Sequence, residues 1–139
     1  MAIGSTSAEA IKLAVGTAIP LDEGLECEVR GRDLMSGLPR ELHLGAEEVR
    51  AAIAAPLADI MTTVHAALEE TPPELAADIT KEGILLAGGG ALLRGLDRRL
   101  EDETGMPVRV ADEPLTCVAA GAGQSLEELD ALGRMSTRR

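Results

Sequence analysis

The sequence of 139 residues has the length of one ordinary domain, enough to bury roughly two-thirds of its unfolded surface. It contains no Phe, Tyr or Trp, so the core has to be made from Leu, Ile, Val, Ala and Met, and aromatic stacking on a base is excluded. With 13 Lys and Arg against 24 Asp and Glu the formal net charge is −11, a sign that repels phosphate backbones and anionic lipid surfaces. Nucleic acid is therefore not an expected partner.

The longest near-apolar run, Ile84 to Leu93, falls far short of the roughly 20 residues that cross a bilayer. The N-terminus has no basic stretch leading into an apolar one. These features predict a cytoplasmic chain without direct membrane insertion. Cys27 and Cys117 stand far apart with no Cys-x-x-Cys or histidine ligand spacing around them, so they read as reduced, packed thiols, and no metal site is signalled. His43 and His65 are isolated and read as surface or half-buried side chains.

Taken in order, Thr6-Ser7-Ala8-Glu9 has the spacing of a capping box and predicts a helix with Ala8, Ile11, Val15 and Ala18 inward, ending near Thr17. Leu25, Cys27 and Val29 alternate with charged residues, and Leu42 and Leu44 flank His43, which predicts an irregular pair of half-buried strands with turn chemistry at Gly31-Arg32-Asp33 and Ser36-Gly37-Leu38-Pro39 between them. From Ala46 onward Val49, Ile53, Leu57, Ile60, Val64 and Leu68 recur at helical spacing. Pro56 falls inside this run and predicts a kink or break.

Thr71 with Pro72 and Glu74 predicts a capped helix carrying Leu75, Ala76 and Ile79 on its apolar face. A strand from Gly83 to Ala87, a helix from Ala91 to Thr104 closed by Gly105 and Pro107, and a strand over Val108 to Ala111 then make a βαβ unit, whose strands should be parallel. Asp112 is the expected cap of a last helix with Pro114 in its first turn and Leu115, Val118, Ala119 and Ala122 inward. After Leu132 the chain is polar and basic and is expected to fray.

Gly88-Gly89-Gly90 lies between the first strand and the helix of that unit, at the end of the strand where open α/β sheets bind ligands. The common phosphate motifs do not fit it. A P-loop needs Lys after its last glycine, and Gly95 is followed by Leu96-Asp97. The dinucleotide fingerprint needs a third glycine where Leu93 stands, and the spacing from the strand is wrong for it. A ligand loop and a tight turn without ligand both remain open on these residues.

The segment Gly83-Ile-Leu-Leu-Ala-Gly-Gly-Gly-Ala-Leu-Leu-Arg-Gly-Leu-Asp97 resembles the adenosine-side motif of the MreB family, bacterial actin-like rod-shape proteins. Ser7-Ala-Glu-Ala-Ile-Lys12, Glu28-Val-Arg-Gly-Arg-Asp-Leu34, Thr71-Pro-Pro-Glu-Leu-Ala-Ala-Asp-Ile79, Glu103-Thr-Gly-Met-Pro-Val108 and Asp112-Glu-Pro-Leu-Thr-Cys-Val118 resemble family segments in the family's order. The resemblance implies an α/β fold, the second half of an actin-like (ribonuclease-H-like) ATPase domain II with a small inserted α+β subdomain. By analogy the insert covers 21–70, and 1–20 with 71–139 form the larger part. The first and second phosphate loops of the family have no counterpart here, so the chain corresponds to about the last two-fifths of a family member.

In the family, the Glu and Lys of the Ala-Glu-x-Ile-Lys helix lie beside the ribose and adenine, and the glycine turn lies under the adenosine. The resemblance thus assigns ATP or ADP, on its adenosine side only, to Glu9, Lys12, Gly88, Gly89, Gly90 and Ala91. A carboxylate can accept from ribose hydroxyls, a lysine stem can cover a base, and glycines admit it to the backbone. Competing roles exist: Glu9 in the capping box, Lys12 as a solvated helix lysine, and the glycines as a turn the fold requires. Where the family usually has Arg, this chain has Ala10.

No catalytic residue is assigned, and magnesium is not expected on this chain alone, because phosphoryl transfer needs phosphate-cradling amides, a metal site and a positioned water. The expectation is a cell-shape cytoskeletal interaction module, associating with MreB-type filament subunits or with itself, and not a complete ATPase alone. The alternatives are an ATPase subunit completed by a partner chain or by a missing N-terminal half, and a fragment without independent activity. Should that half cover one face, apolar surface is left exposed. The first candidate for such a surface is the Ala/Gly-rich helix from Pro114 to about Ala131.

Overall fold

The computed structural model describes residues 1–22 and 24–128. Helix α1, Ser5–Val15, is followed by strands β1, Glu26–Arg32, and β2, Pro39–Gly45, which pair antiparallel with Glu26 opposite Gly45 and Arg32 opposite Pro39. Strand alternation explains the pairing: Val29 is buried and Cys27, Leu42 and Leu44 are half-buried on the face that meets α1, while Glu28, Arg30, Glu41 and His43 face outward. At the hairpin tip Asp33 Oδ1 accepts from the N–H groups of Met35 (2.8 Å) and Ser36 (2.9 Å), and Arg40 donates to Oδ2 at 2.9 Å.

The long amphipathic run forms two helices, α2, Ala46–Ala52, and α3, Ala54–Glu69, bent by 55°. The break falls at Ile53, one turn before Pro56. Pro56 has no N–H to give to the Ala52 carbonyl four residues back, so the ladder opens there and the proline sits in the first turn of the next helix. The bend sends the two helices to different cores. Ala46 and Val49 join Ile11, Val15 and Val29 in one cluster, whereas Leu57 and Met61 join Ala18, Leu96, Leu100 and Val108 in the other. No single helix among the described residues is long and apolar enough to cross a membrane.

Helix α4, Pro73–Glu82, leads into β3, Ile84–Leu86, which pairs parallel with β4, Val108–Val110, through α5, Leu96–Thr104. Ile84, Leu86 and Val108 face α5. Leu85 and its register partner Arg109 point to the opposite, bare face, where Leu85 is 61% exposed. Gly105 adopts the left-handed cap and Pro107 stops the helix, as the sequence predicts. Helix α6, Cys117–Glu127, ends the described part.

Several local expectations are corrected. The N-cap of α1 is Gly4, with no side-chain bond; Thr6 is already inside the helix, which ends at Val15. Ala8 is exposed. Helix α4 starts at Pro73 rather than Pro72, and Thr71 bonds backward to the Ala67 carbonyl (2.7 Å) instead of capping forward. Its residue Leu75 is exposed. The helix expected from Ala91 is a 3-10 turn, Gly89–Leu92, and α5 proper begins only after Gly95. Asp112 and Pro114 precede α6 rather than start it, and Leu115 and Val118, expected inward, are exposed. The expected extension of this helix to Ala131 and the polar tail lie outside the described residues.

Candidate functional site

The C-terminal end of α1, the start of α3 and the glycine turn converge on a cleft of about 130 Å³. Its walls are Leu13, Leu57, Ile60, Leu92, Leu93 and Leu96, and its polar groups are Lys12, Arg94 and the backbone at Gly89 and Gly90. The sequence-assigned residues Lys12, Gly89 and Gly90 are therefore brought together. Gly88 makes the turn with φ +81° and donates its N–H to the Pro114 carbonyl at 2.6 Å, while Ala91 is buried beneath. Neither lines the cleft. Glu9 lies on a separate apolar groove between α1 and α2 that also touches Lys12, and its Oε2 pairs with Lys12 Nζ at 2.7 Å.

What Gly89 and Gly90 are for can be asked of the backbone. Neither has positive φ. A Cβ on Gly90 would meet nothing within 4 Å, and one on Gly89 would only touch Leu115 Cδ2 at 3.5 Å. Neither strain nor internal packing demands glycine at these two positions, unlike Gly95, whose φ of +71° and contact with Ile19 leave room for nothing else. Bare backbone beside leucine side chains and a lysine stem suits a flat base: the leucines give it apolar faces and the amides give it donors. The chemistry of the cleft thus fits an adenosine. Among the described residues no cluster of His, Cys, Asp or Glu could hold a metal ion.

Sequence reasoning missed the residues that join the end of α1 to the loop after the glycine turn. Thr17 is fully buried; its Oγ1 donates to the Ile19 carbonyl at 2.8 Å and lies 3.3 Å from the Arg94 carbonyl. The Ala18 N–H donates to that same carbonyl at 2.8 Å. Arg94 Nη1 turns back to the α1 carbonyls of Ala14 (2.8 Å) and Leu13 (3.4 Å), a cation at the negative end of the helix. The only available signal was a threonine just past a helix end. Away from the cleft, Asp33 is held well below the usual carboxylate range by the Ser36 N–H and then Arg40, and in an exposed pair Arg50 lowers Glu47 and is itself raised.

The family model for MreB/Mbl protein matches residues 1–134. The chain belongs to the MreB/Mbl family. It is 53% identical over 131 residues to the cell shape-determining protein MreB of Escherichia coli K12, covering 94% of this chain and 38% of that protein. The cell shape-determining protein Mbl of Bacillus subtilis 168 is 45% identical over 130 residues, covering 94% and 39%. Among solved structures, MreB5 of Spiroplasma citri bound to ADP matches with a TM-score of 0.87 and 34% identity over 98% of this chain and 41% of that one. A MamK double helical filament matches at TM-score 0.67 and 24% identity over 82% of this chain and 34% of that one, which speaks for the fold alone. This MreB/Mbl chain thus has part of an actin-like fold and spans about two-fifths of the length of these relatives.

Proposed function

We propose that this chain forms the adenosine-facing wall of an actin-like nucleotide cleft and serves in the cytoplasm as a cell-shape cytoskeletal module, associating with MreB-type subunits or with itself. The carrying observation is that Lys12, Gly89 and Gly90 line one apolar cleft in a chain that superposes on an ADP-bound MreB5. Bound ATP or ADP would place its base against the leucines and the glycine backbone, with Lys12 covering it and Glu9, once released from Lys12, accepting from the ribose. Gly88 and Ala91 shape the turn. Phosphates and magnesium would lean on groups that this chain does not supply, so it is not a complete ATPase alone. In this reading 21–70 form the inserted subdomain, and 1–20 with 71–139 the larger part.

Isothermal titration of the chain with adenosine, ADP and magnesium-ATP tests it. Weak saturable binding of similar strength for all three is expected, without hydrolysis; ATP turnover by the chain alone would overturn it. Co-sedimentation with a full-length MreB tests the cytoskeletal half, and no co-pelleting at any ratio would sink it.

A second reading, that a partner chain or an N-terminal half completes an ATPase, is favoured by the bare face of the β3–β4 pair. Parallel sheets are normally covered on both faces, and two strands of three residues with Leu85 61% exposed are an incomplete sheet. Turnover on mixing with the N-terminal part of a family member is the expected result of this reading; its absence counts against it.

A further inference from the structure

We propose that Thr17 is a positioning residue for the adenosine cleft, acting with Arg94, which also lines the cleft: together they weld the end of the Lys12 helix to the loop leaving the glycine turn. The inference rests on the reading of that cleft as an adenosine wall and adds residues on which its shape depends. Lys12 and Gly89-Gly90 are far apart in sequence, and the register between them must be fixed by something other than the ligand. Three connections do this. The Ala18 N–H donates to the Arg94 carbonyl at 2.8 Å in a local parallel bridge between Thr17 and Arg94, and beside it Thr17 Oγ1, which donates to the Ile19 carbonyl at 2.8 Å, lies 3.3 Å from the same Arg94 carbonyl. The Arg94 guanidinium reaches the opposite way, to the Ala14 and Leu13 carbonyls one turn earlier. Arg99 Nη1 adds a longer contact, 3.4 Å, to the Ala18 carbonyl.

Gly16 is part of the same device. Its N–H closes the last turn of α1 on the Lys12 carbonyl at 2.8 Å, and a Cβ there would run into that carbonyl and crowd Leu93 Cδ1 at 3.3 Å. Gly16 thus lets the helix close its last turn with the Leu93 side chain packed against it. Thr17, with 0% exposure, cannot touch a ligand in the cleft. Any effect of its hydroxyl on binding has to pass through the backbone it holds, the Ile19 carbonyl at 2.8 Å and the Arg94 carbonyl 3.3 Å away, which separates positioning from direct recognition.

The test uses Thr17→Val and Arg94→Lys in the 139-residue chain, followed by amide NMR during titration with adenosine. Wild type is expected to show saturable shifts at Lys12, Gly89 and Gly90. Thr17→Val should weaken binding on the order of tenfold, since losing one buried partner lets the two walls shift. Arg94→Lys, which keeps one donor and the charge, should lose less. Val29→Ala, in the hairpin cluster and away from the cleft, serves as a control of reduced stability and should bind like wild type. Wild-type affinity in Thr17→Val overturns the proposal, as does an equal loss in Val29→Ala. If wild type shows no adenosine binding, the adenosine reading fails, and amide exchange decides the weld separately. Exchange at Ala18 and Gly16 should rise at least tenfold together in Arg94→Ala; unchanged exchange overturns it.

Discussion

Gly89 and Asp33 show two ways in which one residue's surroundings set what it does. At Gly89 the ordinary φ and the open space around a built Cβ mean that a larger side chain costs the fold little and the cleft much. Gly89→Val is expected to leave the thermal midpoint within a few degrees and to abolish adenosine binding, read by titration beside a melting curve. Asp33 works through charge. Its folded value is depressed by two backbone N–H groups and Arg40, so its stabilisation is fully present above the unfolded carboxylate value, about 4, and is lost as pH falls below it. Asp33→Asn keeps the acceptor and removes the charge. Its thermal midpoint should fall less steeply than wild type on acidification below about pH 4, and superimposable pH profiles would show that the turn does not depend on the charge.

At the scale of elements, α5 carries one of the most deeply buried side chains. Leu100 is 1% exposed in the cluster shared by α3, α5 and β4, and Leu100→Ala is expected to cost about 2–5 kcal/mol, measured by urea unfolding. Much of this level was legible in the sequence because it depends on periodicity: the alternation around Val29, the α2–α3 stripe broken by Pro56, and the strand–helix–strand order with Gly105 and Pro107. Helix starts were not legible, because capping is a competition among side chains. Glu9 is taken by Lys12 and Thr71 by the Ala67 carbonyl, whereas Glu48 reaches back to the Gly45 N–H at 3.1 Å without a hydroxyl cap to announce it. The start of α5 was displaced by Gly95, whose left-handed turn packs against Ile19, a residue distant in sequence. The cleft was half legible for the same reason. Glycines and Lys12 stand in motifs, but Thr17 and Arg94 meet only in three dimensions.

For the whole molecule, the two clusters on either side of the Ile53 bend leave a third apolar surface without a partner. Leu115 and Val118 at the start of α6 are 69% and 70% exposed, and Leu85 is bare on the outer sheet face. Exposed apolar area of this kind drives association. Sedimentation velocity is expected to show concentration-dependent self-association that Leu115→Asp with Val118→Asp reduces, and a strict monomer at all concentrations would contradict it. The fold around that surface is packed without aromatic side chains, there being no Phe, Tyr or Trp anywhere in the sequence. The protein is consequently almost transparent in the near ultraviolet and has no intrinsic fluorescence. Any purine that accompanies it through purification would dominate its absorption spectrum, and a single tryptophan placed at Leu92, on the cleft wall, would report occupancy against a dark background.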